Sequence, residues 1–323
     1  MNIDRRGILK LGLGAAAYSL LPRIFGEDSQ AQDAKTAPAP AESAPSGPPI
    51  TKPIPSSGEL LPVVGIGTAR GYVENATPAA LAELKEVIRL LPTLGGKVID
   101  MAAGYGEPLT GQLVSELGSR DRLFLATKVN VGPAGDKAAG VAQIERSFRR
   151  LRTDRIDLIA VHNLVDTDTQ LGTLRDLKRA GRIRYVGVTT STPRQFAELE
   201  AVMRAQTLDF IQVDFAIDSR GAAERILPLA QDRGMATMIN LPFGRGNIFA
   251  AVQGKPLPDW ASEFDCRSWA QFFLKYLISY PFVTCVIPGT THVTHMRDNA
   301  QAGYGRLPDA AMRTRMEQYM AAL

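Results

Sequence analysis

From about residue 63 to residue 302 the chain repeats one alternation: a short apolar run, then a longer stretch whose apolar residues recur every three or four positions. Short apolar runs rich in β-branched residues read as strands, and the longer period is that of an amphipathic helix. Strands are expected at 63–67, 97–101, 123–128, 156–162, 184–189, 210–214, 235–239 and 284–287, with helices at 79–91, 109–117, 137–151, 170–180, 193–205, 222–231, 268–278 and 293–302. Strict alternation of strand and helix calls for parallel strands with the helices packed outside them. Eight such units in about 250 residues fit a closed (β/α)8 TIM barrel better than an open sheet.

Local signals agree with these boundaries. Thr77 with Pro78 opens the first helix and Thr192 with Pro193 the fifth, while Gly181 and Gly234 close the fourth and sixth. Ahead of the first strand, two short extended pieces flank Ser56, Ser57 and Gly58, which predicts a β-hairpin able to plug one end of a barrel. Residues 308–323 read as an extra C-terminal helix. The longest stretch without barrel elements, 241–265, follows the carboxyl end of the seventh strand, where long ordered loops are usually functional. Two glycine patterns lack the context of an open dinucleotide-binding sheet: GLGAAA from Gly12 follows no strand, and GIGTARG from Gly65 opens no helix.

The chain ahead of the barrel has a different character. Asp4, Arg5, Arg6, Ile8, Leu9 and Lys10 precede an apolar run of eleven residues, too short for a bilayer that needs roughly 20. This resembles a bacterial twin-arginine signal, ending near Ala31, and implies an exported, periplasmic protein that meets the twin-arginine machinery and touches a membrane only if the signal is retained. Residues 32–49, rich in Ala, Pro and Ser, cannot bury enough surface to order themselves and are expected to be a disordered linker. The barrel domain then occupies 50–323. Of the 323 residues, 45% are hydrophobic and 22% charged, enough for a sizeable core, and the net charge of +4 is spread among acids with no basic run. Nucleic-acid binding is not expected, and a monomer is. Cys266 and Cys285 are expected to stay unpaired, because Cys285 falls in an apolar strand.

Four chemically capable residues fall at or just past the carboxyl ends of successive strands, where a parallel α/β protein assembles its chemistry. They are Asp100, Tyr105, Lys128 and His162. An ammonium beside a phenol would stabilise the phenolate and lower a pKa near 10, making Tyr105 a usable acid. Asp100 can hold Lys128 by ion pairing, and a ring nitrogen of His162 can orient a carbonyl oxygen towards Tyr105. Such a site suits protonating an oxygen while hydride reaches carbon. No metal site is expected, since His292 and His295 have no matching acid or cysteine cluster, and no serine sits on a GxSxG turn.

The runs GELLPVVGIGT, VIDMAAGYG, LATKV, IDLIAVH, IRYVGVT, IQVDF and VIPGT, in this order, resemble the aldo-keto reductases. The resemblance implies NAD(P)H lying across the barrel mouth and reduction of an aldehyde or ketone, a small carbonyl substrate, to an alcohol. It implies Tyr105 as general acid, Lys128 and Asp100 as its tuning pair and His162 as carbonyl orienter. For the cofactor it implies Gly67 and Thr68 beside the nicotinamide ribose and Gln212 on the carboxamide. Thr189 and Thr190 stand where a serine and an asparagine usually hold that carboxamide, and Asn240 stands where an aromatic usually stacks on the nicotinamide, with Phe243 as the substitute ring. Arg245 and the backbone amides from Leu241 onward are matched to the pyrophosphate. Pro288, Gly289, Thr290 and Asn299 are matched to the adenosine end, where His295 replaces a phosphate-clamping arginine and Arg297 is close. NADP(H) is preferred over NAD(H). Ala69 replaces a bulky aromatic, which implies a wider substrate pocket. Export favours an alternative, a permanently bound NAD(P) used for redox-neutral isomerisation or elimination on a sugar-like substrate.

Overall fold

The structure, a computed structural model, describes residues 47–69, 71–132 and 136–323. The export signal and the expected linker up to residue 46 lie outside the described residues. Strands β1 (Thr51–Pro53) and β2 (Leu60–Pro62) form an antiparallel hairpin. The parallel strands follow as β3 (Ile66–Gly67), β4 (Val98–Asp100), β5 (Phe124–Val129), β6 (Ile156–His162), β7 (Ile183–Thr189), β8 (Phe210–Asp214), β9 (Ala236–Asn240) and β10 (Cys285–Val286). They pair in chain order, and isolated parallel bridges from Val64 to Val286 and from Gly67 to Gly289 close the ring between β3 and β10. These two strands are shorter than the sequence predicts because Pro288 has no amide to donate, so the seam is held by single bonds such as Gly67 N–H to Pro288 O at 2.9 Å.

The outer layer consists of α1 (Pro78–Leu90), α2 (Glu107–Glu116), α3 (Lys137–Leu151), α4 (Thr167–Arg179), α5 (Phe196–Ala205), α6 (Ile226–Asp232), α7 (Asn247–Val252), α8 (Trp269–Ile278), α9 (Val293–Gln301) and α10 (Ala310–Ala321). Thr77 caps α1 by accepting from Ala80 N. Thr192 makes no such cap, and the expected helix 193–205 begins instead with a 3-10 turn at Pro193–Gln195. The expected helix 222–231 divides into a 3-10 turn, Gly221–Ala223, and α6; Pro228 lacks an amide proton and is tolerated only in a first turn, so α6 starts at Ile226. Cys266 and Cys285 are both buried free thiols. Among the described residues no helix is long and apolar enough to cross a membrane.

Two cores result from the strand period of two. Ile99, Leu125, Ile159, Val161, Val186, Val188, Ile211, Val213 and Ile239 point outward and pack against the helices. Val98, Phe124, Ala126, Leu158, Tyr185, Phe210, Ala236, Met238 and Cys285 belong to a separate interior cluster that fills the barrel in layers. Its lower layer is aromatic: Tyr185 stacks on Phe124 with centroids 5.8 Å apart and meets Phe210 edge-on at 5.5 Å.

The hairpin seals that lower end, as the sequence predicts. Ile54 and Leu61 join the interior cluster, and Tyr185 Oη donates to Glu59 at 2.6 Å. Lys52 Nζ donates to three carbonyl oxygens at the end of α8, those of Ile278, Tyr280 and Val283, at 2.6–2.7 Å. Removing a fully buried leucine side chain here leaves a cavity. Leu61→Ala is expected to cost about 2–5 kcal/mol of stability, read as a lower urea midpoint with an unchanged slope, and without weakening ligand binding at the opposite mouth.

Candidate active site

The same alternation that fills the interior with apolar layers places a polar layer above them. Counting inward positions upward, Val98 leads to Asp100, Ala126 to Lys128, Leu158 to His162, Tyr185 to Thr189, Phe210 to Gln212 and Met238 to Asn240. All six therefore gather at the carboxyl ends of the strands. Lys128 Nζ donates to Asp100 Oδ1 at 2.6 Å and to Met101 O at 2.7 Å, while Gln212 Nε2 donates to Asp100 Oδ2 at 3.0 Å. Asp100 is 5% exposed and Lys128 3%. Burying this pair is offset by the additional hydrogen bonds that each member makes. Gln212, matched to the carboxamide, thus uses its amide nitrogen on Asp100.

Tyr105 sits in a tight turn after β4. Its N–H donates to Ala102 O at 2.9 Å, and Gly106 follows with φ +79°, a conformation that side chains rarely adopt. A Cβ on Gly106 would also lie 2.3 Å from Thr68 Oγ1. Thr68 in turn donates from both N–H and Oγ1 to Asp100 O at 3.0 Å, so the ends of β3 and β4 and the tyrosine turn are locked together. Burial, reinforced by the Asp100 charge, raises the Tyr105 phenol above its ordinary range. This reverses the expected lowering by Lys128, because that ammonium is directed at Asp100 and Met101 O. The site holds a neutral phenol, a proton reservoir rather than a preformed phenolate.

Burial, and then the Lys128 charge, pushes the His162 imidazole down to about 4, so the ring is neutral near pH 7. Its Nδ1 is buried and has no hydrogen-bond partner. The chain after His162 turns sharply through Asn163, Leu164 and Asp166, all at positive φ. Three non-glycine residues in that region mark local backbone strain next to a candidate catalytic group. Asn163 N–H donates to Thr189 O at 2.8 Å, and Gln195 bridges the two loops by donating to Asn163 O at 2.9 Å and accepting from Thr190 Oγ1 at 2.6 Å.

The cofactor-matched residues divide into groups. Thr189 is buried beneath the mouth, and the Thr190 hydroxyl is committed to Gln195. Asn240 Nδ2 donates to Thr190 O at 3.2 Å, which leaves its buried Oδ1 without a donor. Phe243 is only 2% exposed and packs on Phe249 at 4.9 Å, so its ring is part of the core and does not stand in for a stacking aromatic. Leu241 and Arg245 both have positive φ, and Arg245 Nη2 donates to Ser191 O at 3.0 Å, arching this loop back over the end of β7. Gly67 and Gly289 face each other across the barrel seam. Thr290 Oγ1 donates to Pro288 O at 3.3 Å and accepts from Asn299 Nδ2 at 3.2 Å, tying the loop after β10 to α9.

Three participants escape sequence reasoning. Glu83, on α1, accepts from Val293 N at 3.3 Å and lies 3.0 Å from His292 Nδ1, which puts an acid at the start of α9. His292 meets His295 edge-on at 5.3 Å. Gln143 holds the end of β5, accepting from Asn130 N at 3.0 Å and donating to Lys128 O at 3.4 Å. Its signal was a polar residue on the apolar face of α3. Glu83 and Gln195 carried no sequence signal, since Glu83 meets α9 across 210 positions and Gln195 meets Asn163 across 32.

Comparison with known proteins agrees with this fold. The sequence pattern of the Aldo/keto reductase family matches residues 63–317. Aldo-keto reductase YhdN of Bacillus subtilis is 31% identical over 194 residues, 56% of this chain and 56% of that protein, so the match spans just over half of that relative. Methylglyoxal reductase YeaE of Escherichia coli is 28% identical over 254 residues, 77% of this chain and 88% of its own. Among solved structures, the holo form of aldo-keto reductase AKR11C1 from Bacillus halodurans superposes with a TM-score of 0.68 at 23% identity, covering 84% of this chain and 96% of that one. An aldo/keto reductase from Klebsiella pneumoniae in complex with NADP and acetate gives 0.63 at 23% identity, covering 81% and 93%. With the barrel, the polar mouth and a family match over most of its length, the chain belongs to the aldo/keto reductase family of oxidoreductases.

Proposed function

We propose that the protein reduces an aldehyde or ketone to an alcohol with NADP(H), using Tyr105 as the proton donor. The observation that carries this reading is the buried Asp100–Lys128 pair, sealed by Gln212, with a protonated phenol beside it. The fit of a dinucleotide rests on Asn240 Oδ1, a buried acceptor at the mouth that lacks a partner in the protein. Gly67, Thr68 and Asn240 would hold its nicotinamide end, Leu241 and Arg245 its pyrophosphate, and Pro288, Gly289, Thr290 and Asn299 its adenosine end. When bound, the reduced dinucleotide supplies hydride to the carbonyl carbon.

The protein's own groups handle the oxygen. Neutral His162 donates a hydrogen bond to the carbonyl oxygen and orients it towards Tyr105. Tyr105 gives that oxygen its proton, and the charge left on the phenol is compensated by Lys128, whose ammonium Asp100 keeps fixed. A general acid of this kind contributes about 10²–10⁴ in rate. Steady-state kinetics should therefore find that Tyr105→Phe binds NADPH normally but reduces an aldehyde at least about a hundredfold more slowly. In the unaltered enzyme the rate should hold level between about pH 6 and 9. His162 is already deprotonated above its pKa of about 4, and the raised phenol keeps its proton beyond that range. Undiminished turnover in the variant sinks the assignment. Dinucleotide that survives dialysis and shows no net change of oxidation state over many turnovers would instead support a redox-neutral conversion.

The adenosine end bears on the choice between NADPH and NADH. Glu83 beside His292 opposes a 2′-phosphate, so the preference for NADPH is small. Glu83→Gln should tighten NADPH several-fold relative to NADH in a fluorescence titration; equal effects on both would exclude Glu83 from that choice.

We also propose twin-arginine export to the periplasm, supported by Arg5 and Arg6 ahead of a short apolar run. Replacing both with lysine should leave the protein in the cytoplasm on cell fractionation, and an unchanged periplasmic fraction would refute the pathway.

A further inference from the structure

One buried acid takes no part in the proposed chemistry. Glu107, 0% exposed, is the first residue of α2 and lies two positions after Tyr105. Its Oε1 accepts from Thr127 Oγ1 at 2.7 Å, and its Oε2 accepts no hydrogen bond. The nearest charge is Arg150, near the end of α3, whose Nη1 lies 3.6 Å from Oε2 and donates to Ala103 O at 2.7 Å. A buried carboxylate is strongly unfavourable without compensation, so this placement of Arg150 matters to the fold.

The packing explains how Arg150 arrives there. Gly111 lies one turn along α2 from Glu107, on the same face, and a Cβ on it would sit 2.0 Å from Arg150 O and 2.6 Å from Leu151 Cα. Only a glycine allows α3 to end this close to α2. One guanidinium nitrogen then reaches both the carboxylate that follows the tyrosine turn and a carbonyl within it. Thr127 completes the connection, because it immediately precedes Lys128 on β5 and faces outward where Lys128 faces inward. The Tyr105 turn is thus gripped from two sides: Asp100 and Lys128 inside the barrel, Glu107 and Arg150 outside it.

We propose that Glu107 and Arg150 form a positioning pair that holds the Tyr105 turn in register with Lys128. The consequence for turnover rests on the assignment of Tyr105 as proton donor, whereas the geometric claim stands without it. Arg150 is the residue to change, because its side chain is 42% exposed. Since Arg150→Met leaves the Glu107 carboxylate without its cation, the double variant Glu107→Gln with Arg150→Met, which removes the charge as well, separates loss of positioning from loss of folding.

A fluorotyrosine introduced at position 105 of the full-length protein reads the turn directly by 19F NMR. One narrow line is expected with Arg150 intact, a broadened or split line with Arg150→Met, and an intermediate line with Arg150→Lys, which retains a donor for Ala103 O. In the kinetics, Arg150→Met should lower kcat roughly tenfold with NADPH affinity within about twofold of the parent, and Arg150→Lys should restore most of the loss. Introduced into Tyr105→Phe protein, Arg150→Met should have no further effect, since the group it positions is gone. An unchanged 19F line overturns the proposal whatever the activity, and so does an equal loss of turnover in both Tyr105 backgrounds. A changed line in protein that shows no carbonyl reduction upholds the pair and overturns the reductase reading instead.

Discussion

A carboxylate and an ammonium 2.6 Å apart, both almost completely buried, persist together only where other hydrogen bonds replace the water that each has lost. At the barrel mouth those bonds come from three different places in the chain. Met101 O receives Lys128, Gln212 completes Asp100, and Thr68 fixes the backbone that carries the acid. Residues from β4, β5, β8 and the loop after β3 must therefore converge, and only closure of the ring brings β8 across from β4. The ion pair and the closed barrel require one another.

The consequence for chemistry is a division of environments over a short distance. Lys128 is engaged, so it does not turn the neighbouring phenol into a phenolate in advance, and burial keeps the Tyr105 proton in place. Burial, helped by the same ammonium, keeps His162 neutral. An uncharged imidazole and an uncharged phenol above a fixed ion pair form a site that can give a proton without first repelling an oxygen that is gaining negative charge. The opposite end of the barrel is built on other terms. There the aromatic layer of Phe124, Tyr185 and Phe210 is covered by the hairpin, and Lys52 closes the carbonyls at the end of α8. Apolar packing is concentrated at that end, and polar, strained backbone at the mouth.

The departures from the family pattern also concern one region. Asn240 takes the place of a stacking ring, Thr190 turns its hydroxyl to Gln195, and Phe243 joins the core. Each is explained by a local interaction that uses up the group in question. Together they leave Asn240 Oδ1 as an unfilled acceptor beside the proposed nicotinamide position. On the proposed reading, the residues matched to the cofactor, rather than those matched to proton delivery, are the ones whose groups the protein itself has engaged elsewhere.

The sequence by itself determined the barrel and its chemical residues, because both follow from short-range periodicity. Strand runs of period two, helices of period near four and the fixed position of Asp100, Lys128 and His162 at strand ends need no knowledge of distant contacts. The hairpin plug was legible for the same reason, from extended pieces on either side of a Ser-Ser-Gly turn. Boundaries failed where a proline has no amide proton to donate: Pro288 shortened β10, and Pro228 set the start of α6. Only the tertiary structure decided which hydrogen bonds the site residues make. Gln212 meets Asp100 across 112 positions of sequence, and His292 meets Glu83 across 209. The direction of the Tyr105 shift belongs with these. Burial and the nearby Asp100 charge set it, and both are properties of the closed ring rather than of any run of residues.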